Sequence, residues 1–382
     1  MPGSSLQRRQ WLLQTTSIAA SLAATAWPAS VLAAKNRSQV QLVSAWQTGE
    51  GYQVGVLQQN AQALEVSAAL DVPTRAHGVW LEAGGTLLAV ARRPGDWLLR
   101  WKPKPQSKSG QAITWGWIEP DRAFNGHVIS SADGKTLYTT ETNLETGEGL
   151  IGLRNTATLE KTAEWPSHGM DPHELLLDAD GSLMVANGGI PALPETGRLK
   201  LHMNRMDASL VRLDTRSGRL LGQWHLADQR LSLRHIAWGP MLPGGQAALG
   251  IALQAEHDDA AAKATAPVLA IFDGQTLRAV AADSSQSLRG YGGDISFAAG
   301  LFAVSCPRAN GLALWRADGQ WAGFKALDEA CALASIADEK HPDSVLWAAG
   351  NPATLALDSQ GNTASASLKN LRIDNHWAAI NL

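Results

Sequence analysis

The chain has 382 residues, 45% of them hydrophobic and 18% charged, which is globular material with enough apolar residues for a large core. A formal net charge of −3 with a pI near 6.4 supplies no basic stripe, so a nucleic-acid partner is excluded from expectation. Two cysteines exclude a disulfide scaffold.

The first 34 residues read as an export signal. Arg8-Arg9-Gln10-Trp11-Leu12-Leu13 is followed by a small, apolar stretch from Ser17 to Ala26. Val31-Leu32-Ala33-Ala34 then offers small side chains where a signal peptidase reads. The pattern resembles a twin-arginine signal, departing from it at Gln7, where Ser or Thr is usual, and at Trp11, where Phe is usual. A general secretory signal or an N-terminal anchor are the competing readings. Pro28 and the small residues near position 33 favour cleavage. Beyond Ala34 no apolar run approaches the roughly 18 residues of a membrane span. The expected mature protein is therefore residues 35–382, soluble, periplasmic and monomeric. The twin-arginine route carries folded cargo, often with a cofactor already bound, and so favours a metal or cofactor without requiring one.

From residue 38 onward, short alternating runs follow one another with Gly, Asp and Asn punctuation and little helical period. Residues 39–70 give three strands (Val40 to Trp46, Gln53 to Leu57, Ala63 to Ala69) with no histidine-headed strand before them. A repeated opening then begins: His77-Gly78-Val79-Trp80, His127-Val128-Ile129, His173-Glu174-Leu175 and His235-Ile236-Ala237 each start a strand, as does the terminal His376-Trp377-Ala378. With Asp294 and Cys331 as the remaining heads, successive intervals are 50, 46, 62, 59, 37 and 45 residues. Those lengths suit four-stranded blades of about 40–50 residues. The final strand, 376–382, lacks partners of its own, and joining it to the N-terminal three completes a blade. The predicted fold is an all-β, seven-bladed β-propeller closed by pairing its two ends. Tryptophans on the fourth strands (Trp115 or Trp117, Trp165, Trp224, Trp321) are expected to pack between blades.

In a propeller the first strand of each blade lines the central channel. The heads should therefore surround one channel mouth, giving a candidate metal set of His77, His127, His173, His235, His376 and Asp294, with Cys331 in the remaining blade. Imidazole, carboxylate and thiol are ligands of borderline transition metals such as iron, copper or zinc. The loops joining second and third strands reach the same rim. They bring Arg92, Arg93, Glu141, Asn143, Asn187, His257 and Arg308, while the longest, Gly188 to Asp207, brings His202. His168, five residues before a head, is a further candidate. The alternative stands beside this one: histidine at a strand start can simply hydrogen-bond backbone or a neighbouring blade and keep repeated geometry uniform.

Other motifs are weaker. Asp178-Ala179-Asp180-Gly181 lacks the further ligands of a calcium loop and suits a hairpin on the opposite face. Cys306 and Cys331 fall in neighbouring blades, either bonded or as two reduced thiols. No nucleophile elbow, phosphate loop or dinucleotide fingerprint occurs.

Several segments together resemble a family of exported bacterial propellers of unknown function. They are the twin-arginine start, Asn125-Gly126-His127, Tyr138-Thr139-Thr140-Glu141-Thr142-Asn143, Pro166-Ser167-His168-Gly169-Met170-Asp171-Pro172-His173-Glu174-Leu175, Val185-Ala186-Asn187-Gly188-Gly189-Ile190 and Ser232-Leu233-Arg234-His235. The resemblance covers the mature chain, most specifically residues 166–190. It implies genes lying beside imelysin-like and di-haem-peroxidase-like proteins, and hence periplasmic iron-uptake partners. Three functions remain open from the sequence. They are a metal-linked accessory protein, a metal-free interaction scaffold, and a lactonase-like metal-dependent hydrolase, which would need an open coordination position.

Overall fold

Alternating apolar residues between tight turns build 28 strands among the described residues, arranged as seven antiparallel four-stranded sheets. The structure is a computed structural model that describes residues 40–103, 112–191, 200, 202–338, 341–369 and 371–380. The export signal, residues 1–34, lies outside them, as do Asn381 and Leu382 at the end of the last strand. No helix among the described residues is long and apolar enough to cross a membrane.

Six sheets consist of four consecutive strands. The seventh pairs Arg372–Ile380 with Gln41–Gln47, followed by Tyr52–Asn60 and Ala63–Val72. Gln41 stands opposite Ile380 and Ser44 opposite Trp377. The Trp377 indole donates to the Ser44 hydroxyl at 3.0 Å. The closing strand thus begins four residues earlier than the histidine pattern suggests, at Arg372. Closure leaves neither end as a free edge, which removes a template for aggregation.

The inner strands are Ala76–Leu81, Arg122–Ser130, Pro172–Leu177, Leu231–Met241, Ile295–Ala298, Leu333–Asp338 and Arg372–Ile380, and each touches the next around the ring. Between sheets the core is apolar and fully closed: Trp46, Trp97, Trp101, Trp315, Phe124 and Phe302 are among the largest buried side chains. Each such burial contributes on the order of 2–3 kcal/mol. Trp224 crosses to Phe272 of the next blade, ring centres 4.5 Å apart. Trp115 and Trp321 instead meet Trp97 and Trp315 in their own sheets, at 5.7 and 5.0 Å. Trp117 is 59% exposed and packs between no blades.

The closure makes a direct prediction. A chain ending at Leu371 leaves Gln41–Gln47 paired on one edge only, with Tyr52–Asn60, and opens the ring. It should lose cooperative unfolding and aggregate on heating. Unfolding like that of the intact chain, measured by calorimetry, would contradict closure through this strand.

Candidate metal centre

A regular strand sends neighbouring side chains to opposite faces. All five histidines of the repeated pattern escape that rule, because each sits at an irregularity in its inner strand. The pairing register shifts between Ala76 and Val79, Phe124 and Val128, Pro172 and Glu174, and Leu233 and Ile236. It also shifts in the closing sheet, where Trp377 pairs with Ser44 but Ile373 with Trp46. Such bulges re-aim side chains. Glycine makes room: a Cβ on Gly78 would lie 2.4 Å from the Gly126 carbonyl oxygen, and one on Gly126, at φ +110°, 2.6 Å from His77 Cδ2.

The outcome is a packed cluster in the channel. His77 lies 4.9 Å from His127 and 4.7 Å from His376, centre to centre. His235 lies 4.3 Å from His376 and 4.5 Å from His173. All five are buried. One nitrogen from each of His77, His127, His235 and His376 falls within 4.8 Å of the others, an arrangement that can hold a metal ion. Channel geometry therefore does not keep opposite histidines apart.

Three of these rings share a further feature. Nδ1 of His376 contacts Asp294 Oδ1 at 3.2 Å, Nδ1 of His127 lies 3.6 Å from Glu174 Oε1, and Nδ1 of His77 lies 4.0 Å from Asp374 Oδ1. Their Nε2 atoms are buried without a hydrogen-bond partner among the described residues, and so is Nδ1 of His77, which Asp374 approaches without bonding. His173 is different. Arg234 Nη1 reaches its Nδ1 at 3.3 Å, and an arginine can only donate, so that nitrogen is the acceptor. The Nε2 proton of His173 then goes to His235 Nε2, 2.8 Å away. Both nitrogens of His173 are thereby engaged, and it steadies His235 from beside the four-histidine group.

Asp294 is placed behind a ligand and not among the ligands. Its carboxylate takes the Ile295 and Leu333 amides at 2.9 and 2.8 Å as well as His376. The rim candidates also divide. Arg92 lines a pocket over the cluster. Glu141 is fully buried inside its blade, paired with Arg154 at 2.8 Å and Lys161 at 2.7 Å, because its strand position points into the sheet stack. Asn143 caps a turn through the Glu145 amide, and buried Asn187 donates to the Ser167 carbonyl at 3.0 Å. His168 and His202 are exposed loop residues with left-handed backbone, at φ 54° and 55°. Arg308 stacks on the Tyr291 ring at 4.4 Å. Cys306 and Cys331 are both free thiols, and burial pushes each up to about 12.

The residues missed from sequence are Glu174, Asp374 and Arg234. Each sits within two positions of a histidine, close enough for the same bulge to turn it inward. Asp374 is tied to Arg75, which keeps it ionised well below the usual carboxylate range although burial opposes this.

Burial sets the protonation pattern. It pushes His77 down to about 3, with His376's charge adding and Asp374 opposing. Burial first, then neighbouring histidines, also lowers His127, His173 and His235. His376 moves up despite burial, because Asp294 and then Glu174 favour its charged form. Burial raises Glu174 to about 8. Four of the five imidazoles are therefore neutral at neutral pH, and of these His77 and His127 keep an Nε2 that no neighbour engages.

The profile of a family described as a protein of unknown function, DUF1513, matches residues 70–380. No curated protein matches the chain in sequence. The fold is similar to that of a putative 6-phosphogluconolactonase from Bacteroides fragilis, 12% identical over 91% of this chain and 99% of that one, with a TM-score of 0.59. It is also similar to apo AztD from Citrobacter koseri, at 9% identity over 90% and 98% with a TM-score of 0.52. Virginiamycin B lyase from Staphylococcus aureus matches at 12% identity over 77% and 84%, also with a TM-score of 0.52. Identities this low show a shared propeller and carry no chemistry.

Two outcomes follow from the cluster. The unfolded chain binds protons at histidine below about pH 6.5, and the four lowered imidazoles of the folded chain refuse them. Stability of the metal-free protein is thus full above that pH and falls as pH drops towards 3. Glu174 acts in the opposite sense between about 4.5 and 8 and His376 does so above about 6.5, two groups against four. Calorimetry from pH 7 to 4 should show a falling Tm, flattened in His173→Gln/His235→Gln; a level Tm contradicts buried neutral rings. Separately, Gly126→Ala must strain the backbone and push His77. It should cost about 2–3 kcal/mol in urea unfolding. Gly134→Ala, with φ +68° and open space around its Cβ, isolates the strain alone and should cost about 1 kcal/mol.

Proposed function

The chain belongs to the DUF1513 family, whose function is unknown, and from the geometry of its channel we propose that it is a metal-binding accessory protein of the bacterial periplasm. The ion is a borderline transition metal, iron, copper or zinc, held by His77, His127 and His376, with His235 as a fourth ligand once its Nε2 exchanges the His173 bond for the ion. The observation that carries this is the set of three imidazoles backed by carboxylates at Nδ1 with buried, unpartnered Nε2 atoms. Each orphaned buried nitrogen costs about 1–3 kcal/mol, a cost that purely structural histidines would avoid. A carboxylate behind a ligating histidine fixes its tautomer and strengthens it as a donor.

Size and charge agree. Metal–imidazole bonds of about 2.1 Å put two ligands at most about 4.2 Å apart, so nitrogens within 4.8 Å need only small side-chain shifts. Asp294 supplies negative charge beside a divalent ion, whereas burial favours the neutral form of Glu174 and Asp374 is already matched by Arg75. The donors are nitrogen alone, with the nearest thiol, Cys331, held protonated by burial, which suits iron, copper or zinc over soft Cu(I) sites.

Export through the twin-arginine pathway, implied by Arg8 and Arg9, would let the ion be loaded before transport. A place in periplasmic iron uptake beside imelysin-like partners rests on the family resemblance of the sequence segments. The test is elemental analysis of natively exported protein. About one iron, copper or zinc per chain is expected, and His127→Ala/His376→Ala should reduce it to trace levels. Folded protein that takes up none of these ions would contradict the proposal and favour a metal-free scaffold. Metal-dependent turnover of a lactone would favour the hydrolase.

A further inference from the structure

A small pocket opens over the histidine cluster and is lined by His77, His173 and His235 together with Arg92, Arg93 and Arg234. Arg234 is the unusual member. Only 3% exposed, it uses Nη1 alone, towards Asp171 Oδ2 at 3.1 Å and His173 at 3.3 Å. Its Nε and Nη2 atoms are buried with no hydrogen-bond partner among the described residues. Those two N–H groups form one edge of the guanidinium, the edge that grips two oxygens of a carboxylate or phosphate side by side.

The charge around it is unbalanced. Arg93 also pairs with Asp171, so one buried carboxylate serves two guanidiniums. An uncompensated buried cation is strongly unfavourable, and a bound anion offsets it. The bulge between Leu233 and Ile236 explains how Arg234 and His235, adjacent in sequence, both line the same pocket. Tyr291 and Gly292 also line the pocket.

We propose that this pocket binds a small oxyanion, a carboxylate or phosphate group, on the open edge of Arg234 with Arg93 beside it. The site goes beyond the metal reading and does not rest on it, since arginines and not the ion hold the anion. The small enclosed space admits a small oxyanion or the single charged group of a larger molecule.

The test is calorimetric titration of citrate, and separately of phosphate, into the full chain stripped of metal on a chelating resin, at constant ionic strength. Saturable binding of one anion per chain is expected. A preference for citrate identifies a carboxylate ligand, and a preference for phosphate a phosphoryl ligand. Arg234→Gln should weaken binding at least tenfold, and Arg234→Lys should not restore it, because lysine lacks the two-pronged edge. Arg93→Gln, at a partly exposed side chain, should weaken binding while leaving circular dichroism unchanged, which covers the case in which Arg234 variants fail to fold. His127→Ala/His376→Ala should keep anion binding while losing metal, separating this site from the ion. Absence of saturable binding up to roughly 10 mM, or affinities unchanged in folded Arg234→Gln and Arg93→Gln, would overturn the proposal.

Discussion

Five bulges on the inner strands are the constraint on which the rest of the channel depends. An ideal strand would send Arg234 and His235, or Glu174 and His173, to opposite faces. The extra backbone at each register shift turns adjacent side chains towards the axis, and ring closure brings those strands to within contact of one another. Neither device suffices by itself. Closure without bulges would present apolar strand residues, and bulges on an open sheet would leave the imidazoles dispersed. Gly78 and Gly126 are the accommodation: a side chain at either would strike backbone or the His77 ring.

Desolvation then determines chemical state. A buried imidazolium is disfavoured unless a carboxylate compensates it, so most rings are neutral and His376, in hydrogen-bond contact with Asp294, is the exception. The same low-dielectric surroundings make unpartnered nitrogens costly, which is why their concentration here points to an ion and not to structural repetition. Above the rings, Arg234 repeats the logic with opposite sign: a buried guanidinium with one edge open marks a place for negative charge. A cation centre and an anion pocket thus share one mouth.

The fold was largely legible from the sequence because it rests on repetition. The histidine heads marked five inner strands, and the unpartnered strand at His376 matched the three strands near the N-terminus, giving the ring closure. Strand limits were less visible, since bulges place His127, His235 and His376 within their strands and not at the start. The same cause hid Glu174 and Arg234, which alternation assigns to the face away from the histidines, while Asp374 was hidden because its strand starts four residues before His376. Glu141 shows the converse. It lies near the rim in sequence, yet its ion pairs with Arg154 and Lys161 hold it inside the blade. Proximity along the chain indicated which loops approach the mouth, but only side-chain direction decides which residues enter it.

The central claim is that one metal ion sits on the imidazoles of the channel. It is tested most directly by anomalous diffraction from crystals of natively exported protein, collected at the absorption edges of iron, copper and zinc. The account predicts a single strong peak about 2.1 Å from the Nε2 atoms of His77, His127 and His376. Crystals of metal-supplemented protein with no anomalous peak between those rings, the histidines instead bonded to one another or to water, would contradict it.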